Sequence, residues 1–263
     1  MSRSLLRPLP RPRATRTLLC LSFCGGGTAL FRPWAHALPD DVELALYCYP
    51  GRESRFGTPF AADWDGLISD ALEGVRSVAG RPYALMGHSM GAWVAFDLAR
   101  RAPRAAVAPP EALIASGADA PSHWQQVKHT VPGPDDTDGV LLDWMIGNEQ
   151  IPEELRGVPD VLRMAVDLLR ADMRVMDSYR YRDGERAPVP VQVLYGEQDG
   201  TEEGAERWRL LSPKGFEATR LPGGHFYTPE VWPRLPEHVT WLRPHGSGTT
   251  TGGVAPHNGM QFI

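Results

Sequence analysis

The sequence predicts one α/β domain built on a mostly parallel central sheet flanked by helices, and three observations support this fold class. Short apolar runs alternate with amphipathic helical stretches along most of the 263 residues, which is the pattern of repeated β-α-β units. The runs are continuously apolar rather than alternating, as expected of strands buried on both faces of a parallel sheet. The chain is also long enough for one large hydrophobic core.

The predicted elements follow one another in regular order. Strands are expected at residues 17–23, 42–49, 83–86, 112–115 and 189–195, with a weaker one at 216–221. Helices are expected where apolar residues recur at helical spacing, at residues 64–78, 90–101, 202–211 and 235–242.

Residues 123–186 interrupt this alternation, because they contain helical segments and no strand-like run. A helical insertion between two strands often covers a binding site, so we expect a lid there; an ordinary crossover helix with a long loop is the alternative. The domain is expected to span residues 16–244. An Arg/Pro-rich arm, 1–15, and a Gly/Thr/Ser-rich tail, 245–263, are predicted to be disordered.

Composition and charge exclude several classes of function. A formal net charge of −5 leaves no basic excess for general nucleic-acid binding. No segment approaches the ~20 apolar residues of a membrane span, and the apolar run after the N-terminal arginines is too short for a signal peptide. Three cysteines form neither a disulfide framework nor a metal-ligand pattern. We therefore expect a cytoplasmic protein with no nucleic-acid or membrane partner.

Residues 87–91, Gly-His-Ser-Met-Gly, fit the pattern G-x-S-x-G. A predicted strand enters this pentapeptide and a predicted helix leaves it, which is the context of a nucleophile elbow and points to the α/β-hydrolase fold. The tight turn would expose the Ser89 hydroxyl above the sheet, and the backbone N–H of Met90 would point toward an oxyanion. A glycine-rich turn with an incidental serine is the alternative.

A serine nucleophile needs a base and an acid, which follow it along the chain in this fold. His225 is the candidate base, because it lies in a glycine-rich loop directly after a predicted strand. Asp199 is the favoured acid, since it ends the strongest late strand. Asp119 and Glu197 are the rivals.

The oxyanion hole needs a second backbone donor, which usually comes from the loop after an earlier strand. Here that loop contains three consecutive glycines, 25–27, which permit a close approach of backbone to substrate. Phe23 is the favoured donor and Cys24 the second choice.

These features together resemble the type II thioesterases that accompany non-ribosomal peptide and polyketide assembly lines. The resemblance extends from about residue 17 to 242. Beyond the serine pentapeptide, it is carried by the glycine-rich stretch 24–32, by Tyr-Pro-Gly-Arg-Glu at 49–53 and by Gly-Gly-His-Phe at 223–226. The stretch 169–181 is similar to the lid of that family.

The resemblance implies an activity. Such enzymes hydrolyse thioesters between a small acyl group and the phosphopantetheine arm of a carrier protein, without a metal or other cofactor. In that family the acid follows the strand before the histidine unit, which matches Asp199 and disfavours Asp119. We expect a monomer. A small-molecule carboxylesterase and a catalytically inactive binding protein of the same fold remain the alternatives.

Overall fold

A computed structural model describes residues 4–199 and 202–243. Its described residues contain a seven-stranded sheet in the order β1-β3-β2-β4-β5-β6-β7, in which β1 is antiparallel to β3 and every other neighbouring pair is parallel. The strands are β1 (Leu5–Leu6), β2 (Arg16–Leu21), β3 (Val42–Tyr47), β4 (Tyr83–His88), β5 (Ala112–Ser116), β6 (Val191–Gly196) and β7 (Phe216–Leu221). This confirms the predicted fold class.

The helices cover both faces of the sheet. The α-helices are α1 (Trp64–Val78), α2 (Met90–Arg101), α3 (Trp124–Val127), α4 (Asp138–Gly147), α5 (Pro159–Ser178) and α6 (Glu202–Arg207). The longer 3-10 helices are Ala29–His36, Trp208–Leu211 and Trp232–His238; the others, of three residues each, are Glu53–Arg55, Pro103–Ala105, Pro121–His123, Lys128–Thr130, Glu153–Leu155 and Thr240–Leu242.

Two apolar clusters form the core, one on each face of the sheet. The cluster on one face contains buried residues of α1, α2 and α5, such as Ile68, Phe96 and Leu169. The cluster on the other face lies beneath two 3-10 helices and contains Trp34 and Leu235. Strands β2, β3, β4 and β6 are buried along their whole length, which explains why most of their residues are apolar.

Two of the predicted helices have the predicted bounds, α1 and α2. The start of α1 has a local cause, because the Asp63 carboxylate accepts a hydrogen bond from the Gly66 N–H at 2.8 Å and so caps the first turn. The helix predicted at 235–242 is instead a pair of 3-10 helices. Pro236 lies inside the first of them and has no N–H to donate to an α-helical hydrogen-bond ladder, which favours 3-10 geometry there.

The prediction of a disordered arm is wrong for residues 4–15. Strand β1 pairs with β3, and the Arg11 guanidinium donates to the carbonyls of Ala35 at 2.9 Å, Leu38 at 3.1 Å and Val42 at 2.9 Å. Arg11, one of the residues that suggested a solvated arm, therefore donates hydrogen bonds to buried backbone carbonyls near the end of the 3-10 helix Ala29–His36 and just after it. The predicted tail, 245–263, lies outside the described residues.

The insertion at 123–186 folds as α3, α4 and α5 joined by loops and short 3-10 helices, with no strand among its residues. Helix α5 is the longest of these elements and buries Leu169 and Met173 against the rest of the domain. In the part of the chain that the structure covers, no helix is both long and apolar enough to cross a bilayer.

Glu43 is the anchor of the N-terminal arm, and its removal should destabilise the fold. The buried carboxylate accepts hydrogen bonds from Arg7 Nε at 3.1 Å, from the Arg11 N–H at 3.0 Å and from Arg81. Because charge-assisted bonds would be lost, Glu43→Ala should lower the free energy of unfolding by about 2 kcal/mol. Urea denaturation measures this change as a lower midpoint at constant slope.

The matched control is Glu73→Ala, which removes a pair between Glu73 and Arg76 whose side chains are 70% and 45% exposed. Such exposed pairs contribute little, so the control should shift the free energy by less than about 0.5 kcal/mol. Equal shifts in both variants would contradict the anchoring role of Glu43.

Candidate active site

The turn between β4 and α2 places Ser89 in a strained backbone conformation, with φ 55° and ψ −121°. Two glycines make the turn possible. A Cβ at Gly87 would overlap the carbonyl of Gly91, and a Cβ at Gly91 would lie 2.6 Å from the Ser22 carbonyl oxygen. The Ser89 N–H donates to the Ser116 carbonyl at 2.8 Å, which ties the turn to β5. The predicted strand-turn-helix context is therefore present.

His225 and Asp199 come together from two adjacent loops at the carboxyl ends of β6 and β7. His225 Nδ1 lies 3.0 Å from Asp199 Oδ1 and 3.2 Å from Oδ2. The carboxylate is 8% exposed and the imidazole 20% exposed. The loops are joined directly, since the Gln198 N–H donates to the Gly223 carbonyl at 2.9 Å. A carboxylate on Nδ1 orients the ring so that Nε2 is left for a substrate or nucleophile.

The two rival carboxylates occupy other positions. The Asp119 side chain lies against Gly204 at the start of α6, where a Cβ would overlap it. Burial raises the pKa of Asp119. Glu197 faces Arg220 at 3.8 Å. Of the three candidate acids, the structure therefore places Asp199 on the imidazole.

Ser89, Asp199 and His225 line one cavity of about 430 Å³. Its walls are largely apolar and include three tryptophans and, outside the turn that carries Ser89, two methionines: Trp93, Trp124, Trp144, Met173 and Met176. All of these except Trp93 belong to the insertion 123–186, so the insertion encloses the site as a wall.

Sequence reasoning missed these aromatic wall residues. Trp93 lies one helical turn after Ser89, and its ring stacks on Tyr179 with centroids 5.6 Å apart. Its indole N–H donates to the Asp119 carbonyl at 2.8 Å. A tryptophan one turn beyond the predicted nucleophile is the signal that could have identified this wall, because side chains four residues apart share a helix face.

A buried polar chain lies beneath His225. His88 Nδ1 lies 3.0 Å from the Ser116 hydroxyl, which lies 2.7 Å from the Tyr227 hydroxyl. The rings of His88 and His225 have centroids 4.8 Å apart. Burial, and secondly the neighbouring His225, hold the pKa of His88 well below its usual value. The neutral form of His88 is therefore favoured, and its ring packs against the ring of His225.

The two predicted oxyanion donors flank the same turn. Met90 is the first residue of α2, so its N–H has no acceptor within the helix. Among the described residues, the Phe23 N–H also donates to no backbone carbonyl. The Phe23 ring packs into the core against Phe226, with centroids 4.8 Å apart, whereas Cys24 lines the cavity. Both N–H groups therefore lie where β2 ends beside α2.

Comparison with known proteins places this geometry in a family. The family described as "Thioesterase domain" matches residues 16–240. The chain is 29% identical to the gramicidin S biosynthesis protein GrsT of Aneurinibacillus migulanus, over 80% of this chain and 82% of that protein. It is 28% identical to the medium-chain S-acyl fatty acid synthase thioesterase of Rattus norvegicus, over 82% of each chain.

Among solved structures, the type II thioesterase BorB from the borrelidin biosynthetic cluster is similar along almost the whole fold. It superposes with a TM-score of 0.77 at 30% identity, covering 92% of this chain and 98% of BorB. The resemblance inferred from the sequence motifs is thus confirmed. The chain belongs to the thioesterase family and has the α/β-hydrolase fold of its type II members.

Proposed function

We propose that this thioesterase hydrolyses acyl thioesters carried on the phosphopantetheine arm of assembly-line carrier proteins, and so clears misloaded carriers. The observation that supports it most is the His225–Asp199 pair at 3.0 Å, which lines one cavity with Ser89 on its strained turn. We assign Ser89 as nucleophile, His225 as general base and acid, and Asp199 as the group that orients the imidazole.

The first half-reaction acylates the enzyme. His225 takes the Ser89 proton as the hydroxyl oxygen attacks the thioester carbonyl, and Asp199 stabilises the imidazolium that forms. The developing oxyanion is held by the N–H groups of Met90 and Phe23, with the positive end of α2 behind the former. The tetrahedral intermediate then collapses, the C–S bond breaks, and the pantetheine thiol leaves with the proton from His225.

The second half-reaction releases the acid. A water molecule enters the position that the thiol has left, His225 removes its proton, and the hydroxide oxygen attacks the acyl-Ser89 carbonyl. The same two N–H groups hold the second oxyanion. When the ester bond breaks, His225 returns the proton to the serine oxygen, and the free acid departs.

The cavity supports a small acyl substrate. A cavity of about 430 Å³ with apolar aromatic walls suits an apolar acyl group of modest size. Related proteins are named for gramicidin S biosynthesis and as a medium-chain S-acyl fatty acid synthase thioesterase, which favours a carrier-bound thioester as the substrate class. We also propose that the enzyme acts in the cytoplasm as a monomer. Light scattering of the purified protein tests its monomeric state.

Ser89→Ala should abolish turnover of a short-chain acyl-carrier thioester, because the hydroxyl that forms the acyl-enzyme is lost. A drop in kcat on the order of 10⁶-fold is expected from comparable serine enzymes. Released thiol, followed with a chromogenic disulfide, measures the rate. Ser69→Ala, on the exposed face of α1, is the control and should retain full activity. Comparable turnover in both variants would refute the nucleophile assignment.

Asp199→Asn should lower kcat by about 10⁴-fold, because an amide neither holds the imidazole in the required tautomer nor stabilises its cation. Asp119→Asn is the matched control, since Asp119 is also a carboxylate that lines the cavity but packs on Gly204. It should change kcat by less than about threefold. A reversed order of the two effects would make Asp119 the acid.

A carrier-bound acetyl or propionyl thioester should be hydrolysed with a much higher kcat/KM than the matched oxygen ester of the same carrier arm. Rates are compared by intact-protein mass spectrometry of the carrier. Equal rates on the two substrates would favour the carboxylesterase alternative. If a serine-directed phosphonate fails to label the protein, the inactive binding protein is favoured instead.

A further inference from the structure

The loop that supplies the proposed Phe23 donor is anchored from one side by the segment after β3, residues 49–53. The Tyr49 hydroxyl donates to the Ser22 carbonyl at 3.0 Å, and Arg52 Nη1 donates to the Gly26 carbonyl at 2.6 Å. The Glu53 carboxylate accepts the Thr28 N–H at 3.0 Å. The loop, residues 22–28, is therefore held at its beginning, middle and end.

A fourth anchor comes from the insertion. Asp172 on α5 accepts the Gly25 N–H at 2.8 Å through Oδ2. The same carboxylate receives both arms of Arg52, Nη1 at 2.9 Å and Nη2 at 2.6 Å. The side chains of Arg52 and Asp172 are 3% and 9% exposed. This buried, bidentate ion pair thus joins three segments that are distant in sequence.

The contact between α5 and the loop is close-packed as well as polar. Gly25 has φ +79°, and a Cβ there would lie 3.2 Å from Leu169 Cβ. The Cys24 thiol donates to the Leu169 carbonyl at 3.8 Å. Two residues from the proposed donor, the backbone of the loop therefore rests directly on α5.

The free-energy cost of burying the charges of Arg52 and Asp172 indicates that this pair contributes something other than stability. Removing an ion pair from water costs free energy that the pair seldom recovers, so a well-packed apolar pair would stabilise the fold at least as well. What apolar side chains cannot supply is a fixed acceptor for the Gly25 N–H and a fixed donor for the Gly26 carbonyl. The arrangement therefore favours accurate placement of the loop over stability.

We propose that Asp172 and Arg52 are positioning residues that hold the oxyanion loop in its catalytic geometry, so that the hole is complete only while α5 is docked. Neither side chain lines the cavity that contains Ser89; both act through the backbone of residues 24–26. The Gly26 N–H donates to the Phe23 carbonyl at 2.9 Å, which transmits the position of this anchored turn to Phe23. The inference rests on the proposed function.

Asp172→Asn tests the proposal, because it keeps the shape of the side chain and removes its charge. A partly displaced oxyanion donor should lower kcat by about 10- to 100-fold, with KM changed less than about threefold. An acyl-pantetheine trifluoromethyl ketone, whose adduct with Ser89 carries an oxyanion, should bind more weakly by the same factor. Binding of the intact thioester should be equal in Ser89→Ala and Ser89→Ala/Asp172→Asn.

Asp160→Asn is the matched control on the same helix, since Asp160 forms an exposed pair with Arg163, with side chains 81% and 69% exposed. It should leave kcat and ketone affinity unchanged. Titration of active sites with a phosphonate gives the folded fraction in each sample, so that every kcat refers to competent enzyme.

The double variant Arg52→Met/Asp172→Leu separates positioning from folding, because it replaces the ion pair by apolar side chains of similar size. It should unfold at a temperature close to that of the wild type and still lose kcat and ketone affinity. Wild-type kcat per titrated site in either this variant or Asp172→Asn would overturn the positioning role. A wild-type enzyme that cleaves no thioester would instead overturn the proposed function.

Discussion

The site depends on one close approach of backbones, where the turn carrying Ser89 crosses the end of β2. The strained φ of Ser89 is possible because Gly87 and Gly91 let the turn fold on itself and pack against the Ser22 carbonyl. The turn places Ser89 in the wall of the cavity and starts α2 directly after it, and the close approach of Gly91 holds the end of β2 beside it.

The parallel sheet brings residues that are distant in sequence close together at one edge. β4, β6 and β7 end at the same edge, so Ser89, Asp199 and His225 follow three strands that point the same way. Joined backbones in the last two loops then bring the carboxylate onto Nδ1 of the imidazole. Ser89, Asp199 and His225 are thus positioned by turns at the ends of strands, whereas the insertion 123–186 supplies most of the cavity wall.

Much of this was predictable from the sequence, because it depends on local patterns. The bounds of α1 and α2 follow from apolar periodicity, and the glycines around Ser89 indicate the turn that only glycine allows. Asp199 and His225 could be selected by their position after strands. The N-terminal arm could not be predicted, since the acceptors of Arg11 lie more than twenty residues away along the chain and composition carries no sign of them.

The pairing of Arg52 with Asp172 could not be predicted from the sequence either. Both residues lie in stretches that resemble the family, but they are 120 positions apart, and nothing local indicates that one binds the other. Their contact links the position of α5 to the loop beside Ser89. In the proposed mechanism, substrate enclosure and oxyanion stabilisation therefore share one structural element, so that the insertion would influence rate as well as selectivity.

Trapping the covalent intermediate tests the role of Ser89 most directly. The enzyme is mixed with an acyl-pantetheine thioester, quenched in acid within milliseconds, digested and analysed by tandem mass spectrometry. The proposed mechanism predicts an acyl group on Ser89 that disappears as free acid is released. Thioester hydrolysis at full rate with the acyl group on another side chain, such as Cys24, or with no acylated peptide at any time, would contradict it.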